Sequence, residues 1–164
     1  MTVKALAVTI STRAASGVYE DRSGPVLAEL LSEYGCQVRG PVVVPDGAAV
    51  RSVLEQAVAE GYDVVVTSGG TGLTPTDQTP EMTRLVITRE VPGIADAIRL
   101  GNRDTVPTSI LSRGLAGIAG NTLIVNLPGS TGGVRDGMQI LGPVLAHAVD
   151  QISGGDHPRP ADGA

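Results

Sequence analysis

A glycine-rich segment directly after an apolar run has the clearest chemical potential in the sequence. The run is Asp63–Thr67 (DVVVT) and the segment is Ser68–Gly72 (SGGTG). Glycines at such a position let the backbone approach an anion closely and present N–H groups to it. A tight turn without any ligand explains a glycine-rich segment equally well. The candidate phosphate-binding residues here are Ser68, Gly69, Gly70, Thr71 and Gly72.

Two aspartates suggest that this segment works together with a divalent cation. Asp77 follows Gly72 by five positions, and Asp46 follows Pro45 at the end of another apolar run. Because Mg²⁺ commonly takes one or two carboxylates together with substrate phosphates, both acids are candidate metal ligands and catalytic residues. Two alternatives stay open. Asp46 could cap the helix that follows it, and Asp77 could belong to a polar turn before Thr79.

Two further segments could bind an anion. Leu127–Ser130 (LPGS) enters a long helical pattern, and the N-terminus of a helix offers free N–H donors. In the first loop Ser11 offers a hydroxyl and Arg13 a guanidinium, and Arg113 is a similar candidate. Ordinary capping by Ser130, or a solvated surface arginine, explains these residues as well. The residues added to the candidate binding site are Ser11, Arg13, Pro128, Gly129 and Ser130.

The charge and the aromatic content exclude several classes of function. The 164-residue chain has 12 basic and 17 acidic residues and a formal net charge of -5, which disfavours binding to a nucleic-acid backbone. Lys4 is the single lysine, so no Walker-type phosphate loop is present. Aromatic residues make up 2% of the chain, and it has no Phe or Trp on which bases could stack. We therefore expect no nucleic-acid partner.

Cysteine, histidine and apolar runs exclude further classes. Cys36 is the single cysteine, and His147 and His157 lie ten positions apart, which disfavours a zinc site. No apolar run approaches the ~20 residues that a membrane span needs. We therefore expect a cytoplasmic protein that does not bind membranes.

Alternating strand and helix patterns must position the candidate residues. The predicted strands are Ala5–Ile10, Val38–Val44, Asp63–Thr67 and Thr122–Leu127. The predicted helices begin near Ser23, Val50, Thr79, Pro92 and Gly133, and the last of them ends near Ile152. This order predicts an α/β fold, namely a three-layer, doubly wound, mostly parallel sheet with helices on both faces. Between Val106 and Gly120 the pattern is weak and little is assigned.

The length predicts one domain over residues 1–153, with 154–164 as a flexible C-terminal tail. In open α/β sheets, ligands bind outside the carboxyl ends of the strands. All four candidate segments follow predicted strands. We therefore expect them to meet in one crevice at the edge of the sheet.

Several longer motifs follow one another between about residue 5 and residue 150. They are Ala7–Arg13 (AVTISTR), Pro45–Asp46, Thr67–Gly72 (TSGGTG), Thr76–Glu81 (TDQTPE), Pro92–Arg99 (PGIADAIR), Leu111–Arg113 and Thr122–Ser130 (TLIVNLPGS). Together they resemble the MogA/MoaB family of molybdenum cofactor biosynthesis, which is also represented by the N-terminal domain of gephyrin. The chain departs from the family pattern at Thr12 and Gly47, where acids are common, and at Thr131–Gly133, where Pro and a basic residue are common.

The resemblance implies a molybdopterin adenylyltransferase that uses ATP and Mg²⁺ and releases pyrophosphate. It implies that Asp77 is the principal acid for Mg²⁺ and phosphate and that Asp46 is its partner. Gly69–Gly72 would cradle phosphate, whereas Arg13 and Ser130 are weaker candidates for contacts to the pterin or nucleotide phosphate. The resemblance also implies a homotrimer, and it leaves open a partner protein that inserts the molybdenum.

Two alternatives belong to other classes. A molybdopterin-binding carrier that has lost catalysis is favoured by the departures at Thr12 and Gly47. A generic flavodoxin-like nucleotide or flavin binder is disfavoured, because few aromatic side chains are present to sandwich an isoalloxazine ring.

Overall fold

Helices cover both faces of a six-stranded sheet in the computed structural model, which describes residues 2–155. The strands are β1 Lys4–Ile10, β2 Gln37–Val44, β3 Val64–Ser68, β4 Arg89–Glu90, β5 Ala116–Ala119 and β6 Thr122–Leu127. Their order in the sheet is β2-β1-β3-β6-β5-β4. The pairs β2/β1, β1/β3 and β3/β6 are parallel, whereas β6/β5 and β5/β4 are antiparallel. The predicted mostly parallel α/β fold is confirmed.

The helices connect these strands. They are α1 Thr12–Ala15, α2 Ser23–Glu33, α3 Ala48–Ala59, α4 Thr79–Arg84, α5 Pro92–Leu100 and α6 Thr131–Ile152, with a 3₁₀ helix at Pro107–Leu111. All of them but α1 and the 3₁₀ helix begin within two residues of a predicted start. Within residues 2–155, no helix combines the length and the apolar character needed to cross a membrane. The predicted tail lies outside the described residues from position 156 onward.

Consecutive residues of the central strands pack into two separate cores. Val64 and Val66 of β3 face a core formed with α2 and α6, whereas Val65 faces a core formed with α3. All three side chains are fully buried, and each such burial contributes about 1.5–3 kcal/mol of transfer free energy. Because both faces are covered, these strands are continuous apolar runs rather than alternating ones. The two cores hold the carboxyl ends of β1, β3 and β6 in fixed positions.

Two short strands, β4 and β5, lie where the sequence pattern assigns none. Strand β5 falls within the weak region from 106 to 120, and it forms a hairpin with β6. The turn of this hairpin uses Gly120, whose φ of +57° favours glycine. The residues of β5, AGIA, are small and show little periodicity. This strand therefore depends on its pairing with β6 more than on its own pattern.

Candidate functional site

The loops that follow β3 and β6 contact each other and the end of β1 at one edge of the sheet. The Gly69 amide donates to the carbonyl of Leu127 over 3.0 Å. A Cβ on Gly129 would lie 3.2 Å from the Cα of Gly69, and a Cβ on Gly69 would overlap the carbonyl oxygen of Ile10. Gly69 also has a φ of +106°. Position 69 therefore requires glycine for its backbone conformation and for the close approach of its neighbours.

Two cavities flank these loops, with volumes of about 500 and 650 Å³. They share the lining residues Gly69, Gly70, Gly129 and Ser130, a set that we call the glycine ridge. The first cavity is also lined by residues that include Gly72, Asp77, Ile98, Val106, Leu111 and Asp136. The second is also lined by residues that include Ser11, Tyr19, Asp21, Ser23 and Ser68. In place of the single predicted crevice, the structure has two cavities with a common wall, and Asp46 lines neither of them.

Asp77 lies beside the glycine-rich segment, at the wall of the first cavity. Its Oδ2 accepts a hydrogen bond from the Thr74 amide over 3.2 Å. The Asp77 amide in turn donates to the Thr74 carbonyl over 3.1 Å. A Cβ on Gly72 would lie 2.8 Å from the same Oδ2. This turn holds the half-buried carboxylate against the glycine-rich segment and within reach of a ligand in the cavity.

Asp46 lies next to Gly70 but outside the lining of both cavities. Its Oδ1 accepts from the Gly47 amide over 2.7 Å, and both carboxylate oxygens lie 3.2 Å from the Gln78 amide. Helix α3 has no side-chain cap, so Asp46 does not cap the helix that follows it. Instead, Asp46 ties the loop after β2 to the residue that precedes α4.

The electrostatics of Asp46 fit a cation at this place. Burial raises its pKa above the ordinary value, the Gln78 and Gly47 amides lower it in part, and Asp77 and Glu81 raise it further. A cation would stabilise a carboxylate that is disfavoured in this way. Residues 2–155 contain no group of three His, Cys, Asp or Glu side chains arranged to hold a metal. Two carboxylates would leave the other positions of a Mg²⁺ ion open to oxygen atoms of a phosphate substrate.

Arg113 binds the protein's own loop and is not part of either cavity lining. Its Nε donates to the Gly72 carbonyl over 2.9 Å, and its Nη2 donates to the Asp77 carbonyl over 2.8 Å. Its Nη1 forms a short ion pair with Glu81. That hydrogen bond is the main reason why the pKa of Glu81 is lowered. Both interpretations of Arg113 from the sequence, as a phosphate-binding residue and as a solvated surface arginine, are therefore wrong.

The remaining candidate residues differ in where they lie. Ser130 Oγ accepts from the Gly133 amide over 3.0 Å and caps α6, while Ser11 Oγ accepts from the Ala14 amide over 3.1 Å and caps α1. Both serines also border a cavity. Arg13 is exposed on α1 and borders neither cavity, so the structure does not bring it into the site. The other predicted residues that border a cavity are Ser68, Gly69, Gly70, Thr71, Gly72, Pro128 and Gly129.

A buried amide that the sequence analysis overlooks fastens the site to the sheet. Asn126 of β6 donates to Thr67 Oγ1 over 3.0 Å and to Thr83 Oγ1 over 3.1 Å. Its Oδ1 accepts from the Leu115 amide over 3.0 Å. Strands β3 and β6, helix α4 and the segment before β5 therefore meet at one side chain. The available signal is a single amide inside the apolar run of β6, because a buried polar group needs partners.

The chain is similar to known proteins along most of its length. The family model described as "Probable molybdopterin binding domain" matches residues 6–147. The molybdopterin adenylyltransferase of Helicobacter pylori is 37% identical over 151 residues, which cover 90% of this chain and 86% of that protein. The molybdenum cofactor biosynthesis bifunctional protein of Chlorobaculum tepidum is 35% identical over 92% of this chain, which spans only 48% of that relative. The solved structure of the molybdopterin biosynthesis Mog protein from Mycobacterium ulcerans has a TM-score of 0.89 and 50% identity, covering 94% of this chain and 99% of that one.

Proposed function

Because the chain belongs to the MogA/MoaB family of molybdopterin-binding domains, which act in molybdenum cofactor biosynthesis, we propose that it is a molybdopterin adenylyltransferase. In this reaction a terminal phosphate oxygen of molybdopterin attacks the α-phosphorus of ATP. The bond from that phosphorus to the bridging oxygen breaks, and pyrophosphate leaves. The observation that carries the proposal is the placement of Asp77 and the glycine-rich segment at a cavity that shares the glycine ridge with a second cavity.

The reaction needs no proton-transfer side chain, because a phosphate nucleophile is already ionised at neutral pH. The difficulty is repulsion between two polyanions and the charge that grows on the leaving pyrophosphate. No lysine or histidine within residues 2–155 lines either cavity. The single lysine, Lys4, lies at the amino end of β1, with its Nζ 4.5 Å from the ring centroid of Tyr62. Backbone amides at the N-terminus of α6 that have no partner among the described residues would donate to the phosphates instead.

One reactant would occupy each cavity, with the phosphates meeting at the glycine ridge. None of the aromatic residues that the structure describes lines the first cavity, so its aliphatic side chains Ile98, Val106 and Leu111 would contact the faces of a heterocycle there. On its wall, Asn102 Nδ2 donates to Asp136 Oδ2 over 2.7 Å. This polar pair is suited to the hydrogen-bonding edge of a pterin or an adenine ring.

Asp77 and Asp46 are the residues that would hold the Mg²⁺. When bound, the ion would neutralise charge on the phosphate oxygens and on the leaving pyrophosphate. Asp77 contributes a carboxylate at the cavity wall, and Asp46 contributes a carboxylate beside Gly70. Their own hydrogen bonds to backbone amides fix both carboxylates in place before a ligand arrives.

The test is pyrophosphate release by the purified chain with ATP, Mg²⁺ and molybdopterin. We expect Asp77→Asn to abolish release while the far-UV circular dichroism and Tm stay close to those of the wild type. Asp150→Asn, an exposed aspartate near the end of α6, is the matched control and should retain the wild-type rate. Near-normal turnover by Asp77→Asn would reject its role as the principal acid.

A carrier that binds molybdopterin without catalysis is the second candidate. At position 12, where the family often has an acid, Thr12 Oγ1 accepts a hydrogen bond from the Asp46 amide over 3.3 Å. Because position 12 is a threonine, the first loop lacks the carboxylate that an acid would supply there. Tight binding of molybdopterin by the wild-type chain, with no pyrophosphate released from ATP, would establish the carrier.

Several finer properties stay predictions of the family resemblance. They are the homotrimer and a separate partner that inserts the molybdenum, while the cytoplasmic location stays a prediction from the sequence. Light scattering coupled to size-exclusion chromatography would measure the oligomeric state. A colourless purified protein would exclude the flavin-binding alternative.

A further inference from the structure

We propose that Arg113 is a positioning residue that holds the segment Gly72–Asp77 in place, so that the Asp77 carboxylate faces the first cavity before any ligand binds. The inference rests on the proposed role of Asp77 for its effect on catalysis. It concerns a side chain that contacts neither cavity and acts through the loop that it binds.

The guanidinium bonds to both ends of this segment. Nε donates to the carbonyl of Gly72, where the segment begins, and Nη2 donates to the carbonyl of Asp77, where it ends. The Arg113 amide adds a hydrogen bond of 2.8 Å to the carbonyl of Thr71. The residues between, Leu73 to Thr76, are exposed, and the Leu73 side chain is 64% exposed. The segment therefore has little apolar packing of its own, and Arg113 fixes its two ends.

Charge and shape both favour arginine at this position. The planar guanidinium presents donors in a fixed fork, which can span two carbonyls and a carboxylate at once. Glu81 compensates its charge, and the paired Glu81 has a lowered pKa as a result. With its donors directed at Gly72, Asp77 and Glu81, the side chain serves the loop rather than a phosphate. A lysine would keep the charge but could not reach both carbonyls.

A second arginine holds the backbone on either side of Arg113. Arg99 Nη1 donates to the carbonyl of Gly114 over 2.7 Å and lies 3.3 Å from the carbonyl of Ser112. Arg99 is in α5, which packs on α6 and on the 3₁₀ helix. The position of Asp77 is thus tied through Arg113 and the 112–114 backbone to α5, which packs on α6.

Hydrogen exchange measured by mass spectrometry tests the positioning directly, without any ligand. We expect the Arg113→Gln variant to exchange the hydrogen-bonded amides of Thr74, Asp77 and Gln78 about tenfold faster than the wild type, because a segment released at both ends opens these bonds more often. Exchange in β3 should not change, which shows that the fold is intact. Arg113→Lys should also accelerate exchange at 72–78. Wild-type exchange of this segment in both variants would overturn the proposal.

A matched control separates this effect from the loss of a surface charge. Arg84 pairs with Glu90 on the surface, and both side chains are exposed. The Arg84→Gln variant should therefore leave exchange at 72–78 unchanged. Equal acceleration in Arg84→Gln and Arg113→Gln would show a general effect of charge and would overturn the positioning role.

Binding of Mn²⁺ in place of Mg²⁺, followed by electron paramagnetic resonance with a non-hydrolysable ATP analogue, tests the link to the metal. We expect Arg113→Gln to weaken Mn²⁺ binding roughly 10–100-fold, as the loss of groups that orient metal ligands commonly does. The Asp77→Asn variant shows how much Mn²⁺ binding weakens when the proposed metal ligand itself is lost. If Asp77→Asn weakens Mn²⁺ binding and Arg113→Gln does not, the positioning proposal fails. If Asp77→Asn has no effect while exchange at 72–78 responds to Arg113, the metal assignment fails and the positioning role stands.

Discussion

Replacing Gly69 by alanine tests whether the close contact between Gly69 and the end of β1 leaves no room for a side chain. The new Cβ would overlap the carbonyl oxygen of Ile10, which is backbone in a central strand and has no rotamer by which to move away. The φ of +106° at this position also lies in the region that L side chains rarely adopt. Both terms act on the folded state, because the unfolded chain has neither constraint.

The magnitude can be estimated from these two terms. A strained backbone conformation costs about 1–3 kcal/mol, and insertion of an extra carbon into a packed site costs about 1–3 kcal/mol. Taken together, the expected loss for Gly69→Ala is about 4 kcal/mol. For a chain of this size about 1 kcal/mol lowers Tm by about 2–4 °C, so the expected fall in Tm is roughly 8–16 °C.

Gly61 provides the matched control, because its φ is +75° and a Cβ there would have no neighbour within 4 Å. Gly61→Ala carries only the backbone term, about 1–2 kcal/mol. Thermal unfolding followed by circular dichroism at 222 nm measures both variants. If Tm falls by the same amount in Gly69→Ala and in Gly61→Ala, position 69 has room for a side chain and the close contact with β1 is wrong.

Two further predictions concern the acids beside the ridge. Gly72→Ala should keep the wild-type Tm, because the φ of Gly72 is not positive. The new Cβ would lie 2.8 Å from Asp77 Oδ2 and should displace that carboxylate. Pyrophosphate release should therefore fall about tenfold or more. A release rate equal to that of the wild type would contradict the placement of Asp77. Asp46→Asn should lose activity without losing stability at pH 7. Burial raises the pKa of Asp46, so the folded state binds its proton more tightly, and stability falls as the pH rises from the ordinary value of 3.8 through the raised pKa. That fall should be smaller in Asp46→Asn unfolding curves measured across this pH range, and an unchanged pH dependence would contradict the assigned cause.

The parallel part of the sheet could be predicted from the sequence, because strands covered on both faces are continuous apolar runs. The predicted Thr122–Leu127 matches β6, and the predicted Ala5–Ile10 lacks only the first residue of β1. Strands β4 and β5 could not be predicted in this way. Two residues in β4 and four small ones in β5 carry almost no periodic signal, and antiparallel pairing stabilises them.

The glycine-rich segment and its neighbouring acid could be predicted from the sequence, but the hydrogen bonds that join the loops of the site could not. Glycines after β3 and an acid shortly after them indicate a phosphate site from local spacing alone. The hydrogen bond from Gln78 to Asp46 joins residues 32 positions apart, and that from Arg113 to Gly72 joins residues 41 apart. Contacts at such separations depend on how the sheet brings loops together. For this reason the contacts of Arg113 with the segment Gly72–Asp77 could not be predicted from the sequence.

The glycine ridge has a thermodynamic consequence, because the same backbone atoms bound both cavities. Gly129 and Gly69 touch back to back, so a displacement caused by an occupant on one side changes the shape available on the other. Under the proposed function the two substrates would share this wall, and any displacement of the wall would couple their binding. By thermodynamic linkage, if the first substrate changes the affinity for the second by some factor, the second changes the affinity for the first by the same factor. If one substrate occupies each cavity, as proposed, the two would be coupled across a single layer of main chain.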